Sequence, residues 1–126
     1  MFFQSTSSTP ATECIGHQES GHNSCAGNVH DFTYTYDVKA AGTISSIWAE
    51  ISTAPGGTAA WTVTVRKNGL TTAGNSLSCT ITGTATACEG SGSVSIASGD
   101  FLSVQVTITA GSPGNKQWKT YVVIGS

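Results

Sequence analysis

Residues 61–69 read Trp-Thr-Val-Thr-Val-Arg-Lys-Asn-Gly, and this stretch decides the fold class. Apolar residues alternate with polar ones, which is the period of a half-buried β-strand, and the stretch ends in Asn-Gly, the strongest two-residue hairpin signal. The same alternation returns at Val94 and Ile96 and, after a Ser-Gly-Asp turn, from Leu102 to Ile108. The sequence therefore predicts consecutive strands joined by short turns.

Further strands are predicted on both sides of this region, at residues 32–39, 43–51 and 117–124. No window shows apolar residues at the helical period, so we expect no helix. About eight short strands with such loops predict an all-β fold, an antiparallel β-sandwich of the jelly-roll kind. An immunoglobulin-like sandwich is the nearest alternative, although the typical Cys-Trp-Cys spacing is absent.

The chain has few charges for its length. Charged residues make up 10% of 126 residues and the formal net charge is −2, whereas soluble domains average roughly 25% charged residues. The five basic residues are scattered, and neutralising a phosphate backbone needs a cluster of them. We therefore expect neither nucleic acid nor a membrane among the partners.

The amino-terminal third differs from the rest of the chain. Residues 1–31 are rich in Ser, Thr, Gly and His and lack strand-length alternation, so we predict an extended arm with a cysteine-stapled loop, followed by a sandwich domain at residues 32–126. No secretory signal is recognisable at the start. Together with the cysteines, this predicts a virion surface or another extracellular location.

Two cysteines are placed to close one hairpin. Cys79 and Cys88 bracket ten residues that fold about Gly83, and facing residues of a hairpin lie within disulfide distance. We predict a disulfide here, which contributes roughly 2.5–3 kcal/mol in the chain-entropy model. The alternative is a pair of buried free thiols.

The other two cysteines lie in the one constellation with possible metal chemistry. Cys14, His17, His22 and Cys25 are spaced by two, four and two residues. The even cysteine count favours a disulfide between Cys14 and Cys25. A tetrahedral Cys₂His₂ zinc site, free thiols and bonds between subunits remain alternatives. We predict no cofactor.

The acid and base groups do not form a recognisable catalytic pattern. Asp31 and Asp37 would lie about 20 Å apart on one strand, beyond the roughly 5–9.5 Å between the carboxylates of a glycosidase. No Gly-x-Ser-x-Gly elbow is present. All three histidines fall in the predicted arm, where a preorganised site would be hard to hold. We predict that the protein is not an enzyme.

The three tryptophans divide between the core and the surface. Trp61 shares a strand face with Val63, and Trp118 shares one with Val122, so both are expected in the core. Trp48 lies opposite the apolar face of its strand. It is therefore the one tryptophan that we expect on the surface of the domain. There it would be buried in a subunit interface or, less favoured, serve as a platform for a sugar.

Residues 61–69, residues 79–83 with Cys88, and residues 99–107 together resemble a β-sandwich module of phage structural proteins and bacterial surface proteins. The resemblance implies a virion accessory part, such as a capsid decoration, a head fibre or a tail-fibre tip. It also implies association as a homotrimer. It brings no catalytic or binding residue to this chain.

These observations lead to one main functional hypothesis and two alternatives. The first is a non-enzymatic structural protein of the virion surface, a phage capsid decoration or fibre subunit, anchored to the capsid or another virion protein by residues 1–31. The second is a carbohydrate-binding or adhesin module that holds a surface glycan through Trp48 and the loops at residues 54–60 and 110–117. The third is a subunit of an extracellular filament that exchanges its arm with the next subunit.

Overall fold

A computed structural model describes residues 1–9, 12–17, 22–23, 35–114 and 116–125, without the side chains of residues 6–9 and 22–23. This part of the chain contains no helix that could cross a membrane. It forms ten strands: β1 (Phe2–Thr9), β2 (Glu13–Ile15), β3 (His22–Asn23), β4 (Tyr36–Asp37), β5 (Gly42–Ile51), β6 (Ala60–Lys67), β7 (Ser76–Thr82), β8 (Ala87–Ile96), β9 (Phe101–Ala110) and β10 (Lys116–Gly125).

The strands form two antiparallel sheets that pack face to face. Sheet A has the order β1-β10-β5-β8, and sheet B has the order β3-β2-β9-β6-β7, with β4 also paired to β9. Most consecutive long strands alternate between the sheets. Apart from the two-residue strands β3 and β4, the strands have the order of a jelly roll, β1-β10-β5-β8 in one sheet and β2-β9-β6-β7 in the other. The predicted all-β antiparallel sandwich is confirmed.

The amino-terminal strands are a difference from the prediction. We expected an arm before residue 32, but β1 pairs with β10 in sheet A and β2 pairs with β9 in sheet B. Phe3 and Ile15 are fully buried in the core. Each of these two strands contains so few large apolar residues that its sequence shows no alternation of apolar and polar positions. Of the strand predicted at residues 32–39, β4 is formed, and residues 24–34 lie outside the described part.

The core fills the space between the two sheets. Trp61 of sheet B packs edge to face against Trp118 of sheet A, with ring centroids 5.2 Å apart, an arrangement that aromatic pairs prefer. Both predicted core tryptophans are thus confirmed. The other large, fully buried side chains come from strands of both sheets: Phe3, Ile15, Ile44, Ile47, Ile81, Leu102, Val63, Val65, Val94 and Val104.

The turn at Asn68-Gly69 forms as predicted, with φ values of 55° and 75°, and it places Leu70 opposite Lys67. Strand β7, however, begins only at Ser76. The Asn68 amide donates to Asp100 at 3.0 Å. This hydrogen bond is the main reason that the pKa of Asp100 is lowered, and a hydrogen bond from the backbone N–H of Ala97 is the second. The turn is therefore tied to the start of β9.

A disulfide joins the two sheets along one side of the sandwich. The predicted Cys79–Cys88 bond is present, with Cα atoms 5.8 Å apart. The predicted pairing of β7 with β8 is wrong, because β7 pairs with β6 in sheet B while β8 pairs with β5 in sheet A. The bond therefore crosslinks sheets rather than neighbouring strands. It is compatible with an extracellular or secreted protein.

The opposite side of the sandwich is closed by backbone hydrogen bonds. Gln4 of β1 and Gly16, just after β2, exchange two such bonds of 2.8 and 3.0 Å. Beside them, the His17 ring lies between Phe3 and Tyr36, with centroid distances of 5.1 Å to each. Burial, reinforced by the positive N-terminus, lowers the pKa of His17 from its ordinary value of 6.5.

The disulfide side predicts a matched pair of glycine variants. In Gly90→Ala, the new Cβ clashes with the backbone carbonyl of Ser78, which cannot move without disturbing the sheet. We expect a loss of about 1–3 kcal/mol in the free energy of unfolding, measured in urea. Gly92→Ala is the control, since its Cβ meets only the flexible end of Leu77 at 2.9 Å. Equal losses in both variants would contradict this account.

The His17 ring predicts a loss of stability in weak acid. A lowered pKa in the folded state means that the unfolded chain binds the proton more readily, so unfolding becomes easier as pH falls below about 6.5. His17→Phe keeps a ring between its two aromatic neighbours and removes the titration. We expect the variant to lose less stability than the wild type between pH 7.5 and 5.5 in urea unfolding. Identical losses would show that His17 makes no contribution.

Candidate functional site: an aromatic row on sheet A

The predicted cysteine and histidine constellation is only partly described. Cys14 lies on β2, is buried and is disulfide-bonded, so its sulfur is not a thiolate that could bind zinc. His22 faces Ile15 across β2 and β3, but its side chain and Cys25 lie outside the described residues. No group of three or more metal-binding side chains occurs in the described ranges.

Three aromatic side chains form a row across the outer face of sheet A. Phe2 on β1, Tyr121 on β10 and Trp48 on β5 are direct cross-strand neighbours. Ring centroids are 4.8 Å apart for Phe2 and Tyr121 and 5.5 Å apart for Tyr121 and Trp48. Tyr121 is 45% exposed, and the other two rings are half-buried. We call these three residues the aromatic row.

The row faces outward because the neighbouring residues on its strands face inward. On β10, Trp118 and Val122 are buried in the core, and alternate side chains of a strand point to opposite faces, so Tyr121 points to the surface. On β5, Ile47 and Ala49 are fully buried and place Trp48 on the same outer face. The aromatic row is therefore a consequence of how the core is filled.

Three polar side chains run parallel to the aromatic row. Gln4, Lys119 and Glu50 are cross-strand neighbours on β1, β10 and β5, two residues along each strand from the aromatic ring, or about 7 Å. Within the described part of the chain, these three side chains make no hydrogen bond or ion pair with other protein groups. We call them the polar row, and their donors and acceptors are free to meet a ligand.

A cavity of about 430 Å³ extends from the polar row toward the end of the sheet. Besides the polar row, it is lined mainly by hydroxyl and amide side chains from the strand ends and the neighbouring loops. The further lining residues are Ser5, Ile51, Ser52, Thr86, Gln117 and Trp118. Its volume falls within the range of ~300–1,000 Å³ that is usual for small-ligand sites.

The charges around the site nearly cancel. Lys119 faces Glu50 across the strands, and Glu89 on β8 faces Trp48 at the end of the aromatic row. A ligand on this surface therefore meets one positive and two negative side chains at close range. The arrangement offers aromatic faces, neutral and charged hydrogen-bonding groups, and no concentration of positive charge.

The outer face of sheet B is different, because its polar groups satisfy one another. The Thr62 hydroxyl lies 2.9 Å from the Thr80 hydroxyl and 3.1 Å from the Thr109 hydroxyl. Arg66 is buried and donates to Ser103 and to the Cys14 sulfur, both at 3.2 Å. Burial lowers the pKa of Arg66. Sheet A thus presents the freer hydrogen-bonding surface.

Sequence reasoning singled out Trp48 but missed its two partners. Tyr121 could have been placed outward, since the buried faces of Trp118 and Val122 were recognised. Phe2 could not have been placed beside Tyr121, because nothing in the sequence marks β1 as a strand of sheet A. The polar row was missed for the same reason, since Gln4 belongs to β1.

Comparisons with known proteins add no family to these observations. No protein-family model matches the sequence, and no curated protein is significantly similar to it.

Proposed function

We propose that this protein is a non-enzymatic, glycan-binding module that acts outside the cytoplasm and holds its ligand on the outer face of sheet A. The observation that carries the proposal is the aromatic row, three contiguous rings on an open sheet face. Aromatic rings pack against the C–H faces of sugars, and their amphipathic character suits a partly wet surface.

The polar row supports the same ligand class. Sugars carry many hydroxyls, each of which can donate and accept hydrogen bonds, and the side chains of Gln4, Lys119 and Glu50 supply an amide, an ammonium and a carboxylate. These groups are unengaged in the described part of the chain. A purely apolar partner would bury them without hydrogen bonds, at a cost of roughly 1–3 kcal/mol for each.

A virion accessory protein, a decoration or fibre subunit that forms a homotrimer, is the second candidate. Val123 is 51% exposed and Ile124 is 36% exposed on the strand that carries Tyr121, and exposed apolar groups of this kind are common in subunit interfaces. The jelly roll itself is found in both lectin domains and viral capsid proteins. In the structure, residues 2–9 are paired within sheet A as β1. They would therefore attach such a protein to its virion only as part of the sandwich, and not as a free arm.

Glycan binding predicts that the aromatic row controls retention on polysaccharides. In affinity electrophoresis through gels containing soluble polysaccharides, we expect Trp48→Ala and Tyr121→Ala to weaken binding at least about tenfold, or about 1.4 kcal/mol. Tyr121→Phe keeps the ring and should bind nearly as well as the wild type. Leu70→Ala is the control, because Leu70 is 43% exposed at a distant turn. Undiminished binding by Trp48→Ala would refute the proposal.

Light scattering separates the two candidates. A monomer that binds polysaccharide supports the glycan-binding module. A discrete trimer that Val123→Asp converts to monomers, together with no polysaccharide retention, would instead place sheet A in a subunit interface and favour the virion accessory protein.

A further inference from the structure

The geometry points to a more specific ligand class: we propose that the outer face of sheet A binds a single, uncharged polysaccharide chain that lies across the strands, with the polar row as its specificity-determining residues. This inference rests on the proposed glycan binding and deepens it. Four features of the face lead to it, namely the tilt of the rings, their spacing, the position of the polar row and the balance of charge.

The tilt of the rings excludes a flat ligand. The ring planes of Phe2 and Tyr121 differ by 43°, and those of Tyr121 and Trp48 differ by 46°. Neighbouring strands of a sheet twist by roughly 20–25°, so the ring planes differ by more than the strands beneath them. A crystalline polysaccharide surface needs coplanar rings, whereas a single chain rotates about each glycosidic bond and can adapt to rings of different tilt.

The spacing of the rings makes the row continuous. Centroid distances of 4.8 and 5.5 Å put neighbouring rings in contact, so the row forms one unbroken apolar strip across three strands. A chain laid along the row, perpendicular to the strands, therefore stays in contact with this strip over more than one sugar unit. A chain laid along a strand would meet only one ring, because each strand contributes one aromatic residue.

The polar row then lies beside the whole length of the bound chain. Its three side chains sit one on each strand, in the same order as the rings and about 7 Å from them. Hydroxyls on the edge of each sugar point toward this row. The cavity beyond it, about 430 Å³ in volume, gives room for a side branch of the polysaccharide.

The balance of charge selects against anionic glycans. A uronate, sialate or sulfate group on the chain would meet the carboxylates of Glu50 and Glu89 and only one cation, Lys119. Like charges at close range are unfavourable, and the net charge of the protein, −2, does not offset them. Uncharged sugars, by contrast, accept from Lys119 and donate to Glu50 without repulsion.

The test compares one polysaccharide in charged and uncharged forms. Uncharged galactomannan, xyloglucan and hydroxyethylcellulose are first ranked by affinity electrophoresis, and the best binder is then compared with its carboxymethylated derivative. We expect the derivative to bind wild-type protein at least about tenfold more weakly at low salt, with a smaller difference at high salt because salt screens the repulsion. Crystalline cellulose should not retain the protein.

Two variants of the polar row sharpen the test. Glu50→Gln removes one negative charge and replaces a charged acceptor by a neutral one. The variant should therefore bind the uncharged form more weakly than the wild type does, while the ratio of its affinities for the carboxymethylated and uncharged forms should rise severalfold above the wild-type ratio. Lys119→Met removes a charged donor and should weaken the uncharged form by about tenfold. Circular dichroism and urea unfolding confirm that both variants are folded.

The outcomes separate this inference from the proposed function. If Trp48→Ala abolishes binding but the charged and uncharged forms bind wild-type protein equally, the glycan site stands and the specificity inference is overturned. Retention on crystalline cellulose would likewise overturn it. If no polysaccharide is retained, the proposed function itself fails.

Discussion

The burial of alternate side chains along β10 is the constraint on which the rest of the structure depends. Trp118 meets Trp61 of the opposite sheet at the centre of the core, and Val122 continues the same buried face. Because a strand has a period of two, this arrangement leaves no choice for Lys119 and Tyr121, which must face solvent. A slip of one residue would bury a lysine and expose the tryptophan, so the core holds the candidate site in register.

The two sides of the sandwich determine where a partner can bind. One side is tied by the disulfide between β7 and β8, and the other by the paired backbone groups of Gln4 and Gly16. Strand edges are a common route for association through added strands, but here the edge strands β7 and β8 are linked to each other, and the edge strand β1 is linked to Gly16 of the opposite sheet. Recognition is therefore more readily made by a sheet face than by a sheet edge, which agrees with the position of the aromatic row.

The two outer faces show why composition alone says little about binding. Both carry hydroxyl and amide side chains, yet threonine hydroxyls on sheet B lie within hydrogen-bond distance of one another, whereas Gln4, Lys119 and Glu50 on sheet A have no such partners in the described part. A satisfied polar group gains little from a ligand, while an open one offers a new hydrogen bond. The distinction depends on cross-strand neighbours, which the amino-acid counts do not contain.

The sequence by itself determined the all-β class, the strands β5, β6, β9 and β10, the burial of Trp61 and Trp118, and the Cys79–Cys88 bond. Each of these follows from local patterns, namely alternation, a turn dipeptide and a short cysteine spacing. Only the tertiary structure decided that β7 and β8 belong to different sheets, that residues 2–9 form a strand, and that Phe2, Tyr121 and Trp48 stand side by side. Alternation specifies which way a side chain points, but not which strand lies beside it. That second choice is made by long-range packing of the whole sandwich, which brings residue 2 next to residue 121.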